Sequence, residues 1–332
     1  MLFRSANASG GQGLKINSLA GAITGGSEAA VGGAISVNRI AANRTASLTD
    51  TDISGFASNS LKSGVDQRIN AIAVAGSVGS NAGAGSSTTN ILSGTEEASI
   101  SGGSVSGGSL SVTSNIGDRT LWSLAGAIAG AGEVAVGIAN ANNIITSTRE
   151  AAISHTTLTL SQALDVKSGG SATIRTAAVG AGAAGNVALG GSVAVNVISG
   201  TENATLDGVT LTGATSVTVD VSRGEANIQT LAGNVQGAGT GAGATAIAVS
   251  TVNQQRNALI NNSSLSLGST NSGIRVNALT SGTIKTLALS GAGAGTGAAV
   301  LSSTTNNIDA VTHAKDRKST RLNSVTRRIS YA

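Results

Sequence analysis

Short segments in which apolar and small polar residues alternate recur along the chain. Ser216-Val-Thr-Val-Asp-Val221 alternates strictly, and Ser192-Val-Ala-Val-Asn-Val-Ile198 places Val between Ser, Ala and Asn. A period of two is that of a β-strand with one apolar face. Between them, residues 204–212 carry two alternating pieces around Asp207-Gly208, a pair suited to a tight turn. The pattern therefore predicts short strands that are joined by tight turns.

The Gly/Ala-rich runs leave two alternatives open. A hairpin of small-residue helices is possible for Thr176 to Ile198, because alanine is the best helix former. Glycine, however, costs about 1 kcal/mol per interior helical position, so the glycines of this run would cost roughly 4–5 kcal/mol. These are Gly180, Gly182, Gly185, Gly190 and Gly191. We therefore favour strands for these runs as well.

Three landmarks recur at nearly the same interval and predict a repeat. An apolar residue followed two places later by Ser, Thr or Ala occurs at Ile16, Ile69, Leu121, Ile174, Ile228 and Ile284, at spacings of 53, 52, 53, 54 and 56 residues. An Asn closes the Gly/Ala-rich run at Asn38, Asn90, Asn142, Asn196, Asn253 and Asn306. A polar–apolar–polar triplet follows at Asp52-Ile-Ser54, Ser104-Val-Ser106, Thr157-Leu-Thr159, Thr210-Leu-Thr212 and Ser264-Leu-Ser266. A fixed period of this kind is typical of stacked repeat proteins.

These patterns predict an all-β fold, a repetitive β-solenoid (β-helix-like) that is built from ~53-residue repeats. Ordinary strand and loop lengths would place about five strands in each unit. Units would hydrogen-bond to one another at ~4.8 Å, with Val, Ile, Leu and Ala inside. The predicted array covers residues 6–315, divided into repeats 16–68, 69–120, 121–173, 174–227, 228–283 and a partial repeat 284–315.

The two ends of the chain match nothing in these repeats. Residues 1–5 read MLFRS and residues 316–332 read DRKSTRLNSVTRRISYA. Back-translation gives strings that resemble the flanking adapters of a short-read sequencing library, so we interpret both ends as adapter-like and non-native. The codons of the nucleotide sequence test this interpretation. A genuine basic tail is the alternative, since blocks of positive charge also occur as interaction tails.

Charge excludes one class of partner once the ends are set aside. The formal net charge of +4 would by itself point toward nucleic acid. The ends hold six of the 20 basic residues and one of the 16 acidic ones, which leaves 14 and 15 and a net charge of −1. Aromatic residues make up 1% of the chain, so little is available for stacking on bases. We therefore expect no nucleic-acid partner.

Composition also argues against disorder. Charged residues make up only 11% of the chain, and Val, Ile and Leu occur in every repeat, which is the opposite of a disordered composition. The 47 glycines and the lack of proline exclude an ordinary globular core. The absence of cysteine fits a secreted protein but equally fits a cytosolic one.

Two motifs resemble known sites by chance. Gly180-Ala-Gly182-Ala-Ala-Gly185, with Asp207 downstream, matches a dinucleotide fingerprint. That fingerprint needs a helix after its third glycine, whereas Val187 to Ile198 reads as a strand. The uncharged spans 176–199 and 230–255 are long enough for a bilayer, but they consist of Gly, Ala, Ser, Thr and Asn instead of large apolar residues.

No catalytic, cofactor-binding or metal-ligating set is apparent, so we predict a non-enzymatic chain without a cofactor. His155 and His313 stand alone, and the common metal and nucleophile motifs are missing. Four acids follow the Asn landmark in successive repeats, which predicts a solvated edge of the stack; these are Glu96, Glu97, Glu150 and Glu202. Trp122 stands where the other repeats have polar residues, which predicts that its ring lies on an outer face.

The amino-acid sequence of residues 192–198, 202–208 and 216–221 resembles repeats of very large bacterial surface proteins. These are the leukotoxin-like, filamentous haemagglutinin-like adhesins and related autotransporter passengers, and the resemblance covers about residues 14–311. It implies an extracellular β-helical stalk, exported across an outer membrane and anchored there through a translocator domain outside this sequence. The implied partners are a host-cell or matrix surface, or other cells, with no small-molecule substrate.

A second function class remains open. The Ser/Thr triplets would form a regular ladder down one side of the stack, a geometry suited to ice or to a repetitive glycan. Asp52 and Ser104 depart from threonine in this ladder and weaken that alternative. A β-helical carbohydrate-active enzyme is a third possibility, and it would need carboxylates that converge on a cleft.

Overall fold

The computed structural model describes residues 6–9, 13–114, 117–268, 273–317, 320–322 and 328–329. Within these ranges it has 22 strands and no helix. The strands are β1 (Ala6–Ser9), β2 (Leu14–Gly25), β3 (Ala29–Ala41), β4 (Arg44–Thr49), β5 (Asp52–Gly64), β6 (Gln67–Ser101), β7 (Ser104–Ser114), β8 (Arg119–Ser154), β9 (Thr157–Leu160), β10 (Ala163–Gly169), β11 (Ala172–Ala184), β12 (Val187–Asp207), β13 (Thr210–Thr212), β14 (Ser216–Arg223), β15 (Ala226–Ala238), β16 (Gly241–Asn261), β17 (Ser264–Ser266), β18 (Gly273–Ala278), β19 (Gly282–Ala294), β20 (Gly297–Arg317), β21 (Thr320–Leu322) and β22 (Arg328–Ile329).

Every strand pair in the described part of the chain is parallel. One sheet has the order β21-β17-β13-β9-β7-β10-β14-β18-β22, with β5 on β7 and β1 on β5. The other has the order β19-β15-β11-β8-β12-β16-β20, with β6 pairing β2, β3, β4 and β8. This all-β arrangement is consistent with a β-solenoid. The helical alternative for the Gly/Ala runs is wrong, because these runs are strands β11 and β12.

Two of the three sequence landmarks pair with their own counterparts. The opening residue Ile174 lies opposite Leu121 on one side and Ile228 on the other. The triplet that begins at Thr210 lies between those that begin at Thr157 and Ser264. Strands that are distant in sequence therefore stack in exact register at these positions.

The predicted Asn landmark names the wrong residue in two repeats, at Asn142 and Asn253. Asn143, and not Asn142, lies opposite Asn90 and Asn196; Asn142 lies opposite Thr89 and Val195. A shift of one residue moves a side chain to the other face of a strand, so Asn142 points outward while Asn143 is buried. In the fifth repeat the inward position belongs to Ser250, which lies opposite Asn196, and Asn253 lies opposite Ser199.

The number of strands per predicted repeat also needs correction. Residues 172–223 form four strands, β11 to β14, instead of about five. β11 has 13 residues and β12 has 21, because two long strands can lie face to face without a corner between them. The predicted turn at Asp207-Gly208 is present: β12 ends at Asp207, and Gly208 has a φ of 63°, which favours glycine.

Part of the core between the long strands is made of alanine. One buried cluster consists of alanines alone, among them Ala73, Ala127 and Ala246. A second cluster on the long strands is mainly Ile and Leu, and a third, at the short strands, is mainly Val, Leu, Ile and Ala. Small side chains let the two walls approach closely, and larger ones would overpack the space. Two inward glycines serve the same purpose, because a Cβ at Gly182 would collide with Gln236 and one at Gly180 with Asn234. The G-x-G-x-x-G match thus has a packing explanation within a strand.

An asparagine ladder runs through the interior. Asn38 Nδ2 donates to Asn90 Oδ1 at 2.8 Å, Asn90 Nδ2 donates to Asn143 Oδ1 at 2.8 Å, and Asn143 Nδ2 donates to Asn196 Oδ1 at 2.9 Å. Thr176 Oγ1 also accepts from Asn143 at 2.7 Å and donates to Asn196 at 2.7 Å. The buried amides therefore satisfy one another from strand to strand.

Of the two adapter-like ends, residues 1–5, 318–319, 323–327 and 330–332 lie outside the described residues. In the tail, Thr320, Arg321 and Leu322 pair with Ser264, Leu265 and Ser266.

We predict that Asn143→Ala destabilises the fold far more than Asn142→Ala. The first change leaves the amide of Asn90 without its acceptor and removes one of the two donors to Asn196 Oδ1, which costs about 2–4 kcal/mol. The second removes an outward side chain and should cost no more than about 0.5 kcal/mol. Chemical denaturation followed by far-UV circular dichroism measures both, and equal losses would contradict the ladder.

Candidate functional site: a buried charge ladder and an outer groove at Trp122

Four charged residues of alternating sign stack inside the fold. Arg149 Nε lies 2.9 Å from Glu96 Oε2, and Arg149 Nη1 lies 2.8 Å from Glu202 Oε1. Arg256 Nε lies 2.8 Å from Glu202 Oε2, an ion pair without hydrogen-bond geometry. All four side chains are buried. The prediction of a solvated acidic edge is therefore wrong for Glu96 and Glu202.

The other two acids of that prediction do lie on the outside. Glu97 and Glu150 are partly exposed and paired in register. Partial burial, and then the negative charge of Glu97, raise the pKa of Glu150 above its usual value. Adjacent acids such as Glu96 and Glu97 point to opposite faces because side chains alternate along a strand.

Arg149 uses all three of its guanidinium nitrogens in hydrogen bonds. Arg149 Nη1 donates to the carbonyl of Gly170 at 3.1 Å, and Nη2 donates to that of Gly117 at 3.0 Å. Arg119 Nη2 lies 3.3 Å from Glu96 Oε1. Burial, followed by the charge of Arg149, lowers the pKa of Arg119 to about 10, whereas the two carboxylates overcome burial and raise the pKa of Arg149. These groups are closed to substrate, so the ladder is a structural feature.

The described part of the chain contains no candidate metal centre. No group of three or more His, Asp or Glu residues there could hold a metal ion. Nor does this part contain a helix with the length and apolar character needed to cross a membrane.

The Ser/Thr triplets do form a ladder on the surface. The central residue of each is buried, as for Leu158 and Leu211, and the flanking hydroxyls point outward. The first rungs are irregular, because Ser104 Oγ donates to Asp52 Oδ1 at 2.6 Å. The regular part of the array therefore begins after Ser104.

A groove of about 640 Å³ lies on the outer face beside Trp122. Trp122 stacks between Asn70 and Arg175, and 38% of it is exposed, as the sequence predicts for an outward ring. Ala177 forms the floor, in a column that otherwise carries Leu or Ile in the other strands.

The charges around this groove are positive. Arg175 and Lys285 line it together with Gln229, and no acidic residue does so in the part of the chain that the structure describes. An exposed indole can stack on a flat ligand, and the two cations can pair with anionic groups. The groove can thus hold an anionic ligand.

Comparison with known proteins gives no relative from which a function could be transferred. No protein-family model, curated protein or solved structure matches the chain. The resemblance to bacterial surface adhesins therefore stays a proposal, and the geometry has to carry the function.

We predict that the chain's single tryptophan emits at long wavelength and is quenched more strongly by iodide than by caesium. The ring is exposed, and Arg175 and Lys285 concentrate anions near it. Arg175→Ala should reduce the preference for iodide, whereas Arg275→Ala, on a different sheet, should leave it unchanged. A blue-shifted, protected emission would show that the faces are reversed.

Proposed function

We propose that this chain is a non-catalytic β-solenoid stalk, part of a large secreted bacterial surface adhesin, in which length and rigidity are the function. Each coil of the stalk comprises about 53 residues in two to four strands, and it lies directly on the next. The observation that carries the proposal is the recurrence of one separation in the buried contacts. Asn90–Asn143, Asn143–Asn196, Glu96–Arg149 and Arg149–Glu202 are each 53 residues apart.

A role as a spacer agrees with the contacts that the buried polar and charged residues make. The buried amides and charges of the two ladders contact the equivalent groups of neighbouring coils. Adhesion to host cells, matrix or other cells would then depend on exposed faces or on other parts of a longer extracellular protein, which would be tethered to the outer membrane through those parts. The groove at Trp122 lies on one such exposed face.

A second candidate function is binding of ice or a repetitive glycan by the Ser/Thr ladder. The observation in its favour is the exact register of Thr157, Thr210 and Ser264 with outward hydroxyls. Thermal hysteresis measurements and a glycan array on the intact chain separate the two functions, and activity in either would favour the ladder. A carbohydrate-active enzyme is disfavoured, because Glu96 and Glu202 are buried against arginines.

The stalk proposal predicts that added repeats increase the length of the particle and leave its cross-section unchanged. Insertion of copies of residues 174–227 should lengthen the particle by about 4.8 Å per copy at constant cross-section. Small-angle scattering of a series with several added copies measures both quantities, with β-rich circular dichroism as the control for folding. A cross-section that grows with the copy number would contradict the proposal.

The ends of the stack should make the same protein associate. Among the described strands, β2 and β3 pair only with β6, while β19 and β20 pair only with β15 and β16, respectively. Open strand edges of low charge promote association. Residues 6–315 should therefore oligomerise end to end, and a polar capping coil fused to each end should suppress this; an uncapped chain that shows no end-to-end growth would contradict the open edges.

A further inference from the structure

The outer side of one long strand in each coil carries a checkerboard of large apolar and very small residues. The strands concerned are β2, β11, β15, β19 and the first parts of β6 and β8. Three columns run across them: Gly21, Val74, Gly126, Val179, Gly233, Leu289; then Ile23, Gly76, Ile128, Ala181, Val235, Gly291; then Gly25, Val78, Gly130, Ala183, Gly237, Gly293. We call this surface the checkerboard face. Large and small residues alternate along β2, β15 and the first parts of β6 and β8, and in the first two columns they also alternate across the strands. In β11 and β19 the large residue is followed by two small ones.

The large residues of this face are exposed even in the middle of the stack. Val78 is 66% exposed, Ile128 61% and Val235 64%, although each belongs to a strand that is paired on both sides. They border a groove of about 520 Å³ whose lining also includes Ile23 and Val74. The three columns contain no charged residue in any coil. Monomeric proteins seldom expose a contiguous apolar surface of this kind without a partner.

The glycines of the checkerboard face are not required by the fold. Gly76, Gly130 and Gly237 do not have a positive φ. A Cβ at Gly76 or Gly130 would meet its nearest neighbour at 3.9 Å, and one at Gly237 would meet nothing within 4 Å. Glycine weakens a strand, and in strands it often marks a place where another surface approaches closely. These glycines therefore leave shallow holes that the chain itself does not fill.

We propose that the checkerboard face docks against the same face of a second copy of this chain. A lattice in which knobs and holes alternate is complementary to itself after a shift of one strand or one column. In such a pair Val78 or Ile128 of one copy enters a glycine hole of the other. An unrelated partner would need large side chains and holes at the same spacing both along and across the strands. A second copy of this chain already has that spacing.

The size of the face suits a weak dimer. Five residues at ~3.3 Å and six strands at ~4.8 Å give roughly 475 Å² per copy, against about 800 Å² per partner in a standard interface. Each further coil would add roughly 80 Å² to each side. Pairing would thus strengthen with the length of the array. The inference depends on the stacking of the strands and not on the proposed adhesive role.

The first test fills one glycine hole of the checkerboard face by substitution in the full chain. Gly130→Val should weaken association roughly tenfold or more in sedimentation equilibrium, because a clash of about 1.4 kcal/mol already has that effect. Gly191→Val is the control: it lies on the outer side of β12, and a Cβ there meets nothing within 4 Å, whereas one at Gly130 meets Val78 at 3.9 Å. Circular dichroism establishes that both variants are folded. Equal association of the two variants would overturn the proposal.

A cross-linking experiment separates lateral pairing from end-to-end association. The chain has no cysteine, so a single Ala183→Cys in the exposed checkerboard face reports on that face alone. Under mild oxidation it should form disulfide-linked dimers much faster than Thr146→Cys, an exposed position on β8 outside the face. Cross-linking that is equal at both positions, or a chain that stays monomeric at every concentration, would overturn the proposal.

Discussion

Parallel strands that stack in register place each side chain directly over its equivalents in the neighbouring strands, about 4.8 Å away. This one constraint decides which residues can point inward. An asparagine can face another asparagine, because its amide both donates and accepts. Asn90, Asn143 and Asn196 use this property. A charged side chain cannot face its like, so inward charges have to alternate in sign, as Glu96, Arg149, Glu202 and Arg256 do.

The same constraint shapes the apolar surfaces. Between the long strands the walls are close enough that alanine fills the gap, and Gly180 and Gly182 make room for the larger side chains of Asn234 and Gln236. On the outside, Val74 lies between Gly21 and Gly126, and Ile128 lies between Gly76 and Ala181. This alternation of large and small residues creates the holes of the checkerboard face.

Much of the fold could be predicted from the sequence, because strand periodicity and the triplets are local patterns. The outward position of Trp122 followed from its polar counterparts in other repeats. The error at Asn142 arose since two asparagines are adjacent and only strand register distinguishes them. Glu96 and Glu202 were misplaced for a different reason: a charge considered within one repeat looks solvent-exposed. The buried ion pairs are indicated only when the sign of the side-chain charge is compared at the equivalent position of successive repeats, from Arg44 through Glu96 and Arg149 onward.

The most direct test of this account compares the unfolding free energies of Arg149→Met and Arg149→Glu. Both remove the guanidinium between Glu96 and Glu202, and the two new side chains are similar in size. If alternation of charge holds the ladder together, Arg149→Met should cost about 3–5 kcal/mol, because each buried carboxylate loses one of its two cations. Glu96 would keep only Arg119, and Glu202 only Arg256. Arg149→Glu should cost clearly more, because it adds a third negative charge to the column. The account would be contradicted if Arg149→Glu were no less stable than Arg149→Met.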